Sequence, residues 1–470
     1  MIKQGLLYII LLVATVISIT GCRVTTPYQR PDQLPVDGLF RMYSDVDTTY
    51  SIATASALDF YKDPFLQQLI TEALDSNPDV LLAVNRLAQQ SELVLQRKAA
   101  FYPSLTLGLS GSVSDVSKYG NASKPANPFT ELKLAATAGW EADIWGKLSS
   151  MRKSQQAYYL QQEATVRAVQ TQLAANIASA YYQLLMLDQQ RVVTEKNIES
   201  YTNYLNTVKS LKESAQVTEV AVLQANAQLS SAKSYLPQIN ALIAIEENYI
   251  CLLLGKTSAP IARSGSIDLT LFHPESSATG IPVQLLANRP DVQMAEFALC
   301  AAHEQFNAAR AALYPQLTLS GSVGPDAKGI ENWFNMPGSL LWNFVGGLTQ
   351  PVLNGRTLKT QKEIAKLQEA AALLSFRQTL LNAGNEVSNA LASIRFITQQ
   401  VAYQREQVEA LKKAYDYSQE LLVNGYATYL DVLLAQNSVL SSELALYSTY
   451  NTIIQQKIIL YRALGGGWRR

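Results

Sequence analysis

Side chains able to carry chemistry are scarce in this chain. Histidine occurs twice and cysteine three times among 470 residues. Two histidines give poor support to a multi-histidine metal site or to an enzyme built on imidazole chemistry. Cys251 in NYICLLLGK and Cys300 in EFALCAAHE lie in helical apolar patterns and read as small buried hydrophobes, with a disulfide as the alternative. There is no nucleophile elbow, phosphate loop, metal-ligand cluster or convincing acid–base pair, so the residues point away from an enzyme and imply no cofactor and no metal. Two features remain. Thr428 and Asp431 form a T-x-x-D spacing that opens a helix by reciprocal capping, with Tyr426 and Tyr429 flanking the turn. Cys22 closes MIKQGLLYIILLVATVISITGC, in which Lys3 precedes an apolar run that ends in small residues just before the thiol.

That leader is laid out as a signal peptide. Its end resembles a bacterial lipoprotein box, in which the cysteine becomes the lipidated first residue of the mature chain. The alternatives are an ordinary signal peptide or an N-terminal transmembrane anchor. No later stretch reaches the ~20 continuous apolar residues of a spanning helix, so any further membrane crossing must use strands. Lys+Arg and Asp+Glu balance at 38 each, which argues against a nucleic-acid partner.

The elements that must position these residues occur twice. FYPSLTLGLSGSV at 101–113 returns as LYPQLTLSGSV at 313–323, with Pro103 and Pro315 212 residues apart (315 − 103). Asn77-Pro78-Asp79-Val80 returns as Arg289-Pro290-Asp291-Val292, Gly146-Lys147 as Gly355-Arg356, Thr218 and Val222 as Thr428 and Val432, and Leu254-Gly255 as Leu464-Gly465. Each half reads helix, strand, strand, long helix, return helix. Leu173, Ile177, Ala180, Leu184 and Leu187, continuing through Ile198, Tyr201, Leu205 and Val208, keep a 3.5-residue period. So do Ala383, Val387, Ala390, Ile394, Ile397 and Val401, with Val408, Leu411 and Tyr415 beyond. Such a period marks helices that supercoil around neighbours. No proline interrupts 129–236 or anything after Pro351, so the long helices can run from about Gly146 to Ser214 and from about Gly355 to Asn424. The predicted layout is a leader at 1–21, an arm at 22–57, a first repeat at 58–255, a Pro/Gly/Ser-rich connector at 256–283, a second repeat at 284–466 and a tail at 467–470.

Four strands are expected, at about 103–114, 130–142, 315–324 and 340–350. Leu105, Leu107, Leu109 and Val113 alternate with Ser104, Thr106, Gly108, Ser110 and Ser112. Leu132, Leu134, Ala136, Ala138 and Trp140, then Leu317, Leu319 and Val323, then Trp342, Phe344 and Leu348, alternate likewise. This suits strands with lipid on one side and water on the other, and equally a hairpin on a soluble core. Segment length and terminal aromatics (Tyr102, Tyr314, Trp140, Trp342) favour lipid. Four strands cannot close a barrel, and an open edge is not tolerated in hydrocarbon. Three chains would supply twelve strands.

These words together resemble the outer-membrane efflux protein family, the TolC-like outer-membrane factors, in their lipoprotein branch. The matching phrases are FYKDPFLQQLITEALDSNPDV (60–80), AAFYPSLTL, WEADIWGK (140–147), IPVQLLANRPDV (281–292), AALYPQLTL and GYATYLDVLLAQNSVL (425–440). The resemblance implies a mainly α homotrimer with a 12-stranded membrane β-barrel, a periplasmic α-helical barrel and an equatorial belt. It implies an exit duct in the Gram-negative outer membrane that works with a periplasmic adaptor and an inner-membrane transporter and catalyses nothing. Arg23 after Cys22 is compatible with sorting to the outer membrane. The family's gate lies at the periplasmic tip, where acidic residues sit just inside the return helix. Asp431 matches one such position, whereas Leu434 stands where a second Asp is frequent. Three copies of Asp431 about an axis would repel one another and favour a bound cation or a raised pKa; capping alone is the competing role. Tyr426 and Tyr429 can narrow the aperture or pack between helices, and Glu219 occupies the comparable tip of the first half. Cargo stays open among small toxic molecules, metal ions and secreted protein. A lipid-anchored periplasmic coiled-coil scaffold is the alternative architecture.

Overall fold

The computed structural model describes residues 24–32, 34, 39, 51–114, 129–265, 285–328 and 330–468. The leader, Cys22, most of the arm and the connector from 266 onward lie outside the described residues. The main elements are α1 (Pro64–Ser76), α2 (Pro78–Ala99), β1 (Ser104–Ser114), β2 (Phe129–Ala142), α3 (Lys147–Glu213), α4 (Glu219–Leu253), α5 (Pro290–Ala311), β3 (Gln316–Lys328), β4 (Leu340–Thr349), α6 (Thr357–Val423) and α7 (Tyr429–Ala463). The chain is mainly α with one four-stranded antiparallel sheet in the order β1-β2-β3-β4.

The duplication is kept to the residue. α2 and α5 each have 22 residues, α3 and α6 each 67, and α4 and α7 each 35. Both long helices start and stop 210 apart (357 − 147; 423 − 213). This corrects one correspondence in the sequence reading. By helix start, Gly146 aligns with Arg356 rather than with Gly355, and Arg356, φ 66°, is left-handed like Gly146 at 79° and its own neighbour Gly355 at 61°. The matching letters Gly-Lys and Gly-Arg are displaced by one residue, because backbone geometry and not letter identity sets the helix start.

The two compact units of the chain have separate cores. One is drawn from within 86–162 and 295–376 and holds the sheet. The other is drawn from within 163–294 and 377–470 and is helical, with α1 added. In the helical unit, Leu173, Ile177, Ala180, Leu184 and Leu187 are all buried with Tyr181, Ile454 and Tyr461. The second row is buried at Ala383, Val387, Ala390 and Ile394. The 3.5-residue period therefore marks the packed seam.

Each helix ends for a local reason. Asp63 caps α1 by accepting from the N–H groups of Phe65 at 2.9 Å and Leu66 at 3.4 Å, with Pro64 in the first turn. Pro103 and Pro315 follow α2 and α5 and cannot continue them. The carbonyls left over there are met by side chains: the Trp140 indole donates to Phe101 O at 2.9 Å, and the Gln350 amide donates to Leu313 O at 2.8 Å. Trp140 thus ties a helix end, a use that its position as a segment-end aromatic did not reveal. β3 runs past the expected end at 324 to Lys328. At Gly324 a side chain would meet Leu134 O at 1.8 Å, so the chain passes its neighbour at a distance only glycine permits. No described helix is long and apolar enough to cross a membrane.

Candidate functional site

Register decides what the sheet can do, because directly opposed residues share a face. Leu107 lies opposite Ala136, Ala136 opposite Val323, and Val323 opposite Trp342. One position along, Thr106, Thr137, Ser322 and Asn343 form a parallel row on the other face. The first face is an unbroken apolar surface across all four strands, and Leu105, Leu107, Leu109, Trp342, Phe344 and Leu348 are all exposed in the single chain. The second is polar over β1 to β3 and carries Val345 and Leu341 beside Asn343 on β4: the Asn343 amide oxygen accepts from Ser322 N–H and hydroxyl at 3.1 Å each, and Lys133 pairs with Asp326 at 3.5 Å. Among the described residues β1 and β4 each have one strand neighbour, so both outer edges of the sheet are open.

The second surface is the pair of turns that join α3 to α4 and α6 to α7. Each closes its long helix with the same bonds: Ala215 N–H to Lys212 O and Gln216 N–H to Leu211 O in one, Gly425 N–H to Leu422 O and Tyr426 N–H to Leu421 O in the other. The residue after each helix must be left-handed, φ 58° at Ala215 and 75° at Gly425. At the second turn Thr428 and Asp431 form the full capping box. Asp431 N–H donates to the Thr428 hydroxyl at 3.4 Å, and the Thr428 N–H and hydroxyl donate to the Asp431 carboxylate at 2.8 and 2.6 Å. The Thr428 hydroxyl first, then its N–H, holds Asp431 below the ordinary carboxylate range. The carboxylate is also exposed, so capping leaves it open to a second role.

The four candidate gate residues are not equivalent. Tyr426 projects from the turn, 83% exposed. Tyr429 is half-buried against a cluster that includes Tyr204, Leu205, Val208, Val432 and Leu440, and its carbonyl accepts from the Tyr204 hydroxyl at 2.5 Å. Burial pushes the Tyr204 phenol well up. Glu219 pairs with Lys212 across the first turn, while Thr218, before it, makes no side-chain cap. The offset of 210 sets Glu219 opposite Tyr429 and Ala221 opposite Asp431, so only one of the two turns carries a carboxylate in the capping position. Cys22 lies outside the described residues.

Two structured sites escaped the sequence reading. Arg289, used there only as a repeat marker, is a hub: it donates to both oxygens of Asp291 at 2.9 and 2.6 Å, to Glu386 at 2.9 Å and to Ala463 O at 2.8 Å. Burial opposes its charge, but Asp291 and then Glu386 more than offset that. In the first repeat the smaller Asn77 does the same docking, through its amide to Leu253 O at 2.8 Å. The arm is also fastened. Asn307, fully buried, accepts from Thr26 N–H at 3.2 Å and donates to Thr26 O at 2.8 Å, and Arg30 grips Glu296 at 2.6 and 2.7 Å. An asparagine within an amphipathic helix gives no sequence sign of such a bond, because its partner is more than 280 residues away.

The model of the outer membrane efflux protein family matches twice, over residues 69–256 and 281–466. The chain belongs to the outer membrane efflux protein family. The sequence is similar to the solvent efflux pump outer membrane protein SrpC of Pseudomonas putida, 29% identical over 454 residues, 95% of this chain and 96% of that one. It is similar to the cation efflux system protein CusC of Escherichia coli, 27% identical over 97% of both chains. The solved outer-membrane channel OprN has the same fold, with a TM-score of 0.87 and 24% identity over 95% of this chain and all of that one. Each repeat of this outer-membrane efflux channel carries one copy of the family match.

Proposed function

We propose that three copies of this chain form the exit duct of a tripartite efflux system, docked on a periplasmic adaptor that is fed by an inner-membrane transporter. The observation that carries this reading is the open four-stranded sheet, apolar across one face, polar over most of the other and, among the described residues, unpaired at both edges. Unpaired edges are tolerated in hydrocarbon only if another chain takes them, and three copies close a ring of about twelve strands with lipid outside and water inside. The two relatives are named for solvents and for cations, which supports small molecules as cargo over secreted protein. Lipidation at Cys22 anchors the chain to outer-membrane lipid beside its barrel. The duct needs no cofactor and performs no catalysis; the partner pump supplies energy. The turn bearing Tyr426, Tyr429 and Asp431, together with the first-repeat turn bearing Glu219, is the periplasmic gate.

The test is an unheated gel of membrane-extracted protein together with conductance in a planar bilayer. A band of three chains and discrete channels are expected, and Asp431→Asn lowers cation selectivity. A monomer that opens no channel refutes the duct, and unchanged selectivity refutes the role of Asp431 in the gate. Cys22→Ser should leave the protein without bound acyl groups by mass spectrometry.

A further inference from the structure

The two repeats supply a template for a contact that one chain leaves unmade. Inside the chain, the corner between β2 and α3 meets the corner between α5 and β3. The rings of Trp145 and Tyr314 lie 5.0 Å apart, tilted by 31°, and the Trp145 indole donates to Pro315 O at 2.7 Å. Among the described residues, the equivalent corners at the two ends of the duplication have no such cover. Tyr102, the counterpart of Tyr314 (314 − 212), is 75% exposed. The corner between β4 and α6 carries Val352 at 87% and Leu353 at 96% exposure.

The correspondence of the corners is fixed at both ends. The tie from Trp140 to Phe101 O recurs as the tie from Gln350 to Leu313 O, with donors 210 apart (350 − 140), and the helices that follow also start 210 apart. Leu353 therefore stands where the first repeat has Asp143 (353 − 210). Asp143 caps α3, accepting from the N–H groups of Leu148 and Ser149 at 2.8 Å each. Leucine cannot cap. In an isolated chain the second corner thus has no counterpart of the Asp143 cap and sets a large apolar side chain in water, which is unfavourable unless something covers the corner.

We propose that the Pro351–Arg356 corner seats the Tyr102–Pro103 corner of a second copy of this chain, with Val352 and Leu353 lying on the Tyr102 ring. The proposal rests on the trimeric reading above and adds the place where adjacent chains lock at the strand-to-helix turn. The internal meeting of these corners favours a second copy over lipid; the Trp145 ring itself has no counterpart, since Gly355 stands at its position (355 − 210), so Val352 and Leu353 supply the apolar cover in its place. Arg356 is the only Lys, Arg, Asp or Glu between Pro351 and Arg356, and Val352 and Leu353 are the exposed side chains beside it, so the contact through them is apolar.

The test is a disulfide between chains in the full-length protein in membranes, using Tyr102→Cys with Leu353→Cys and each single variant as control. After mild oxidation and denaturation, the double variant should give two-chain and three-chain bands that collapse with reductant, and the single variants should stay monomeric. An unheated, unoxidised gel reports the trimer independently. A trimer there without cross-linked bands, and with the thiol of the Leu353→Cys chain alkylated from the lipid phase, overturns the seam in favour of lipid and leaves the duct standing. No trimer with wild-type protein overturns both. Leu353→Asp is the second arm. If the corner were merely part of one chain, an aspartate there would cap α6 and raise the temperature at which the trimer dissociates; the seam requires that temperature to fall.

Discussion

The paired turns make a mirror-image experiment possible. Both need a left-handed residue, and one uses Gly425 while the other uses Ala215. An Ala Cβ at 425 would have open space, with nothing within 4 Å. The cost of Gly425→Ala is therefore conformational and not steric. A left-handed L-residue costs about 1–2 kcal/mol, and the stiffer unfolded chain returns about 0.4–1 kcal/mol. The net loss is about 1 kcal/mol, or roughly fivefold in the local opening equilibrium. Ala215→Gly reverses both terms and gains up to about 1 kcal/mol. Hydrogen exchange read on peptides covering 211–222 and 421–432 reports each turn separately. Exchange should speed up about fivefold at the second turn in the first variant and slow at the first turn in the other. If Gly425→Ala slows exchange, or both variants shift it in one direction, the left-handed requirement does not govern these turns. The outcome bears on the proposed gate, since these turns close the helix ends that would form it.

Three further outcomes follow from particular residues. Arg289→Ala should lower the trimer's dissociation temperature on an unheated-gel series by more than Arg289→Asn does, because Asn77 shows that a short amide can make the same carbonyl bond; the Ala variant leaves Ala463 O without this donor, at a cost of roughly 1–3 kcal/mol, while the half-exposed Asp291 and Glu386 are hydrated. Gly324→Ala, which drives a methyl into Leu134 O, should abolish the three-chain band while leaving helical circular dichroism largely intact. Burial pushes Lys457 down to about 8, whereas an unfolded lysine titrates near 10.4. The unfolded chain therefore binds more protons between these values, and stability rises with pH across that window, by roughly 3 kcal/mol at most. Lys457→Met should flatten the rise and raise stability at pH 7, as read from heat dissociation at pH 7 and pH 10.5.

Much of the architecture was legible because it depends on period and punctuation. Long proline-free runs with apolar residues every 3.5 positions became the two 67-residue helices. Alternation in SLTLGLSGSV gave the correct faces of β1, since side chains on a strand have no choice but to alternate. Pro103 and Pro315 marked the helix-to-strand corners for the same kind of reason. At the candidate gate, Thr428 and Asp431 were readable as a cap because both partners lie within one helical turn.

Other features depend on partners distant in sequence, and no local pattern encodes them. Arg289 is a repeat marker until Glu386 and Ala463 come beside it. Asn307 is an ordinary helix residue until Thr26 lies across it. Trp140 could belong to an aromatic girdle until Phe101 O is seen to need a donor. The Gly-Lys and Gly-Arg words aligned by letter, yet the backbone put Arg356 in the glycine-like conformation. Sequence alone thus determined the elements, their faces and their duplication, because those follow from interactions within a few residues. Tertiary structure decided the register across strands, the hubs that fasten the arm and the repeats, and which corners were left bare, because each of these is a pairing between residues that only the folded chain brings together.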